Sequence, residues 1–301
     1  MNISVIIPTR NAGQYLAPLL DSLLSQTVKL EIIVIDSDSR DDTVSIAEAY
    51  AEKIQLIQIP KEQFDHGGTR DYALRKSTGD YVAFFTQDAL PTDSQCVEKL
   101  LAAFSKPDIA AVCGRHIAWP DAPEYERLTR EFNYPPQVRI WRERDISKYG
   151  VKSYFFSNSC AIYRRDAYEA VGGFDTPIMT NEDMMMAAKL LHGGYALAYT
   201  PEATVFHSHR FTLREEYRRN YRIGYVMTQY RERLTGADTG VEGLRMVCFV
   251  IKSLIQSGQY GAALVFLIHS AVRFLGNRIG NFKGKRGLTH ETVGSFIQLQ
   301  R

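Results

Sequence analysis

Cysteine is scarce in this 301-residue chain: Cys96, Cys113, Cys160 and Cys248 stand far apart, with no C-x-x-C spacing. That pattern excludes a zinc knuckle or a disulfide framework and suits a reduced, cytoplasmic protein. Excess charge of one sign is missing as well. The 36 Lys and Arg against 34 Asp and Glu leave a formal charge of +2, so nothing marks a nucleic-acid partner. No uncharged apolar run reaches the roughly 18 residues of a membrane span; the nearest, Gly261 to Val272, is too short and contains His269. No G-x-G-x-x-G follows the first apolar run, which argues against a Rossmann dehydrogenase. A secretory signal is not expected, because Ile3-Ser4-Val5-Ile6-Ile7 already reads as a strand and leaves no room for a basic n-region. Internal repeats and low-complexity linkers are absent.

What is present is a regular alternation. With 45% hydrophobic residues, the chain can bury one large α/β core and a smaller appendage. Strand patterns at Ile3–Pro8, Leu30–Asp36, Ile54–Ile59 and Tyr81–Thr86 are separated by helical patterns at Ala12–Ser25, Asp41–Glu52 and Gly68–Lys76. Such alternation predicts a mostly parallel, doubly wound sheet flanked by helices. Ligands bind such sheets beyond the carboxyl ends of the strands. Thr9-Arg10-Asn11, Asp36-Ser37-Asp38 and Gln87-Asp88 all fall on that edge.

From Ala118 to Val151, four prolines mix with charges and aromatics, which predicts an irregular functional loop. Phe155–Tyr163 reads as a strand, Glu182–His192 as a helix, and Leu213–Leu234 as a long basic helix. The tail from Val241 to Ile279 reads as two apolar helices broken near Ser257-Gly258. The expected organisation is a catalytic domain over 1–235, with halves 1–115 and 116–235, and a C-terminal helical region over 236–301.

Three short segments carry chemistry. Thr86-Gln87-Asp88-Ala89 ends an apolar strand, Asn181-Glu182-Asp183 opens a helix, and His207-Ser208-His209 closes a later strand. Together they supply the parts of a metal-dependent transfer: a carboxylate base, a metal carboxylate and an imidazole ligand. Each has a bland alternative. Asp36 or Asp38 can cap the helix that follows, Asp88 can be a turn residue, and Glu182-Asp183 can simply answer a helix dipole. His207 and His209, two apart on a strand, point to one side.

Val5-Ile6-Ile7-Pro8-Thr9-Arg10-Asn11 and Ile33-Val34-Ile35-Asp36-Ser37 resemble the opening of a family-2 glycosyltransferase with the GT-A fold. His66-Gly67-Gly68-Thr69-Arg70, Thr86-Gln87-Asp88-Ala89 and Asn181-Glu182-Asp183 resemble the rhamnosyltransferase branch of that family more narrowly. The resemblance covers roughly residues 1 to 235 by motif order. It implies that Pro8, Thr9, Arg10, Asp36, Ser37, Arg70, Gln87 and Asp88 bind a nucleotide sugar, with Asp36 accepting from the N3–H of uracil or thymine. Asp88 and His207, with His209 as alternative, would hold Mg²⁺ or Mn²⁺. Asp183 would be the general base of an inverting transfer, and Glu182 and Trp119 would contact the acceptor.

The implied donor is dTDP-L-rhamnose, with a UDP-hexosamine as alternative. The acceptor would be a cell-surface saccharide, free or linked to polyprenyl diphosphate. A sugar-phosphate nucleotidyltransferase fits less well, because Pro8 to Gly13 offers no glycine-rich loop with a lysine. The tail leaves two readings open. From Leu244 to His290 there is no Asp or Glu but seven Lys and Arg among apolar residues. That suits docking on an anionic membrane at the cytoplasmic face, or equally a helical hairpin packed on the domain or on a second copy.

Overall fold

The computed structural model describes residues 1–236 and 239–286. Its first third follows the alternation read above: β1 (Ile3–Thr9), α1 (Gly13–Leu24), β2 (Glu31–Ser37), α2 (Thr43–Ala49), β3 (Gln55–Ile59), α3 (His66–Lys76) and β4 (Tyr81–Phe85). These strands are parallel in the order β3-β2-β1-β4. Successive side chains take opposite faces: Val5 and Ile7 join the core with Leu16, Leu20 and Val97, whereas Ile6 joins Leu74, Tyr163 and Met185 on the other face. Thr9 lies beside Asp36 in register. The ends of β1 and β2 therefore meet at one sheet edge, as expected.

Beyond β4 the sheet becomes mixed. It adds β5 (Leu90–Pro91), then α4 (Cys96–Ala102), β6 (Ile109–Ile117), α5 (Glu124–Asn133), β7 (Arg139–Trp141), α6 (Ile146–Tyr149), β8 (Cys160–Arg164), α7 (Arg165–Ala170), α8 (Glu182–His192) and β9 (Ala196–Phe206). The full order is β3-β2-β1-β4-β8-β6-β9-β5, with β7 on β9. β8 runs antiparallel to both β4 and β6, while β6 and β9 are parallel. The sheet is thus uniformly parallel only in its first half.

The stretch 118–151 is more regular than its prolines suggest. Pro123 directly precedes α5, where its missing N–H breaks no helical hydrogen bond. The strand expected over Phe155–Tyr163 begins only at Cys160, because Tyr154 and Phe156 are buried as core aromatics ahead of it.

Three helices complete the chain: α9 (Leu213–Gln229), α10 (Thr239–Gln256) and α11 (Tyr260–Lys285). The break between the last two falls at Gly258, whose φ of 74° ends α10 in the left-handed region. α11 runs along α9 with backbone against backbone. A Cβ on Gly280 would collide with the Tyr221 carbonyl, and one on Gly224 with the Asn277 carbonyl. Thr228 Oγ1 donates to Asn281 Oδ1 at 2.6 Å, and Arg273 pairs with the buried Glu216 at 2.5 Å. α11 holds no uncharged apolar run of spanning length, since it contains Arg273, Arg278, Lys283 and Lys285. Among the described residues, it is nonetheless the one helix long and apolar enough to cross a membrane by length and composition alone.

Candidate active site

Beside the end of β1 and the turn after β4 a cleft of ≈ 690 Å³ opens. Arg10, Arg70, Asp88, Glu182, Asp183, His207 and His209 line it together. Residues some 200 positions apart thus meet, because β9 returns beside β6 and delivers His207 to the same end of the sheet as Asp88. His207 is fixed there by its N–H donating to the Ile117 carbonyl at 2.9 Å.

Asp88, His207 and His209 place one donor atom each within 4.8 Å of one another. His207 Nε2 lies 3.6 Å from Asp88 Oδ1, and His209 Nδ1 lies 3.3 Å from Asp88 Oδ2. These contacts are not ion pairs. Burial holds His207 well below the usual imidazole range, and burial likewise brings His209 down to about 4 despite the nearby Asp88 carboxylate. Both rings are neutral at physiological pH and offer lone pairs, as a metal requires. Bonds of about 2.1 Å to one ion set neighbouring donors roughly 3–3.5 Å apart, so the residues present fit a divalent cation. Behind them, His207 Nδ1 meets His116 Nδ1 at 3.2 Å. His116 is stacked on Tyr134 with centroids 4.3 Å apart. Such a partner orients a ligating ring, and nothing in the sequence around His116 signals it.

The acidic pair at the start of α8 divides its labour. Glu182 is 5% exposed, and its Oε1 receives Arg70 Nη1 at 3.2 Å and Asn158 Nδ2 at 3.2 Å. Burial would raise Glu182, but Arg70 first, then His66 and the Asn158 hydrogen bond, hold its carboxyl below the ordinary value. Through Oε1 it therefore ties α8 to α3, while the residue also lines the cleft. Replacing Glu182 with Ala is expected to cost about 3–5 kcal/mol in denaturant unfolding, because Arg70 is left buried and unpaired. An unchanged unfolding midpoint would contradict this role.

Asp183 differs. Its Oδ1 accepts from the Met184 N–H at 2.8 Å and its Oδ2 from the Asn158 N–H at 3.3 Å. Burial first, and then the Glu182 charge, push its carboxyl up to about 7. Asp183 also lines a second cavity of ≈ 360 Å³, with Tyr134, Trp141, Phe155 and Tyr199 on its walls. One carboxylate thus looks into both spaces. A carboxylate of this pKa is charged only above about pH 7, so if it accepts a proton in the reaction the acid limb of the pH–rate profile is expected near 7. Initial rates measured across pH 5 to 9 (roughly two units either side) check it; a limb at the ordinary carboxylate value would contradict it.

Several predicted residues lie at the edge without lining the cleft. Asp36 is 1% exposed; it accepts from Thr9 Oγ1 at 3.1 Å, from the Ser39 N–H at 3.0 Å and from Ser39 Oγ at 2.5 Å. Ser37 is buried beside it with a hydroxyl that has no protein partner. Gln87 accepts from the Arg10 N–H at 2.8 Å and donates to the Arg10 carbonyl at 3.2 Å, locking β1 to the turn after β4. Pro8 sits in β1 opposite Ile35. Trp119 stacks on Phe206 with centroids 5.2 Å apart and lines neither cavity.

The paired glycines of the HGGTR segment serve packing. Asp65 caps α3 by accepting from the Gly67 and Gly68 N–H groups at 3.1 and 2.7 Å. A Cβ on Gly67 would strike the Asp175 carbonyl, so glycine admits that loop against the helix start. Sequence reading missed Arg218, Arg219 and Arg222, which project from α9 into the cleft. Their i, i+1, i+4 spacing on a basic helix was the available signal.

The half-parallel, half-mixed sheet flanked by helices is the GT-A architecture of glycosyltransferases. The sequence model of glycosyl transferase family 2 matches residues 4–172, more than half of the chain, and the chain belongs to that family. It is 39% identical over 284 residues to the O-antigen chain rhamnosyltransferase RfbN of Salmonella typhimurium, covering 93% of this chain and 90% of that protein. It is 37% identical to the O-antigen chain rhamnosyltransferase WbaN of Salmonella anatum, covering 93% and 89%. Among solved structures, it resembles the mannosyltransferase PcManGT of Pyrobaculum calidifontis, determined with GDP-Man and Mn²⁺. That match has a TM-score of 0.60 and 19% identity, over 93% of this chain and 84% of that one, a likeness of fold.

Proposed function

We propose that this chain transfers L-rhamnose from dTDP-L-rhamnose to a saccharide acceptor of a cell-surface polysaccharide, with inversion at C1, at the cytoplasmic face of the plasma membrane. The observation that carries the reading is the position of Asp183 between two cavities. The donor occupies the cleft that holds Asp88, His207, His209 and the arginines of α9. The acceptor, free or carried on polyprenyl diphosphate, enters the aromatic cavity, whose flat rings suit the apolar faces of a sugar.

In this reading the acceptor hydroxyl attacks C1 from the face opposite the diphosphate. The new O–C1 bond forms as the bond from C1 to the diphosphate oxygen breaks. Asp183 takes the hydroxyl proton, and the bonding electrons leave with dTDP. Asp88, His207 and His209 would hold Mg²⁺ or Mn²⁺, which when bound neutralises charge on the departing diphosphate. Arg10, Arg219 and Arg222 add positive charge along the cleft. Asp36 keeps one of a carboxylate's roughly four acceptor positions for the thymine N3–H.

The rhamnosyl assignment draws support from the relatives above. A panel of dTDP-, UDP- and GDP-sugars tests it, read by product formation and by binding of the free nucleotides. Preferred turnover of dTDP-L-rhamnose is expected. Better use of a UDP-hexosamine would overturn the donor, and comparable affinity for GDP would remove Asp36 from the nucleobase site.

A further inference from the structure

We propose that the outward face of α11 docks flat on an anionic lipid surface. The face is a single stripe. Leu264, Ile268, Leu275, Arg278 and Phe282 follow the spacing that keeps residues on one side of a helix, and Arg286 continues it. Leu264 is 61% exposed and Leu275 53%, with Ile268 and Phe282 close behind. Long apolar side chains left in water along several helical turns mark an interaction surface.

Spanning is excluded by what the other side of α11 does. Gly276, Gly280 and Gly284 press it onto the backbone of α9, and α9 carries Glu215, Arg218, Arg219 and Arg222 into the cleft. Lipid cannot surround α11 without drawing that charged helix in with it, at a cost of several kcal/mol per charge. Only the outward stripe is available, which is the geometry of a helix lying in the interface.

Charge selects the occupant. Arg278 lies over the Phe274 ring at 5.6 Å and Arg286 over the Phe282 ring at 4.3 Å, so cations stand directly beside the apolar stripe. Lys283 and Lys285 add to them, and no Asp or Glu occurs from Leu244 to His290. A second copy paired through the same stripe would set these cations against each other if parallel, or against the apolar first half of α11 if antiparallel, and α11 offers no acid to answer them in either case. Anionic headgroups answer them. Because α9 shows one face to α11 and another to the cleft, docking holds the cleft on the far side of these two packed helices from the lipid.

Co-sedimentation of the full chain with phosphatidylcholine vesicles, with and without phosphatidylglycerol, tests the proposal. Binding to the anionic vesicles at low salt is expected, with little to the neutral ones. Arg278→Gln with Arg286→Gln should weaken it by about 30-fold, near 5-fold per charge. Leu264→Ser with Leu275→Ser should abolish it, and thermal melts of both double variants should match the parent. Failure to bind anionic vesicles at low salt would overturn the proposal, as would equal binding to both vesicle types. A concentration-dependent dimer dissociated by the leucine double variant would overturn it in favour of a second copy. None of these readouts depends on which sugar is transferred.

Discussion

Asp183→Asn is expected to lower sugar transfer by about 10²–10⁴ while leaving nucleotide-sugar binding nearly intact. The amide keeps one oxygen to accept from the Met184 N–H and gives up the longer contact from the Asn158 N–H, so the shorter bond at the start of α8 is kept, but it has no basicity to take the acceptor proton. A stability measurement separates lost chemistry from lost fold. The folded-state value of about 7 is raised above the ordinary carboxylate value. Asp183 therefore contributes stability at low pH that is lost as pH rises through 7. Asn carries no such titration, so the variant should be no less stable than the parent above pH 7. Near-normal turnover by this folded variant would remove Asp183 from the proton transfer.

The second large effect is expected at the histidine and carboxylate cluster. Asp88→Ala takes the carboxylate from between His207 and His209. Charge stabilisation of a leaving diphosphate by a bound cation is worth several kcal/mol, so transfer should fall by roughly 10²–10³. EDTA treatment of the parent should produce a similar loss, restored by Mg²⁺ or Mn²⁺. Direct binding of the cation, followed by titration calorimetry with Mn²⁺, should weaken in Asp88→Ala and in His207→Ala. Full activity after EDTA would overturn the metal role of all three residues.

The first half of the fold was legible in the sequence because its signals are local. Alternating apolar strands and amphipathic helices define parallel units, and polar residues after each strand mark the edge. The tail was legible for the same reason: apolar periodicity gave two helices, and Gly258 gave the break between them. The segment 118–151 was not, because Pro123 reads as disruption until it is seen to sit just ahead of a helix. The strand before Cys160 was overextended because a run of core aromatics and a run of strand residues look alike without their neighbours.

The site divides along the same line. The sequence by itself determined which residues have the right chemistry: the carboxylates Asp88, Glu182 and Asp183 and the pair His207 and His209; it gave a basic helix, but not that Arg218, Arg219 and Arg222 reach the cleft. Only tertiary packing decided their roles. It buried Glu182 against Arg70 and left Asp183 facing two cavities, although the two are adjacent in sequence and share a helix start. It set His116 behind His207 from a separate strand, used Gln87 to bind backbone, and turned Trp119 onto Phe206. The physical reason is that residue type and spacing fix what a side chain can donate or accept. Burial, a partner's charge and the approach of distant strands set its protonation and what it can reach.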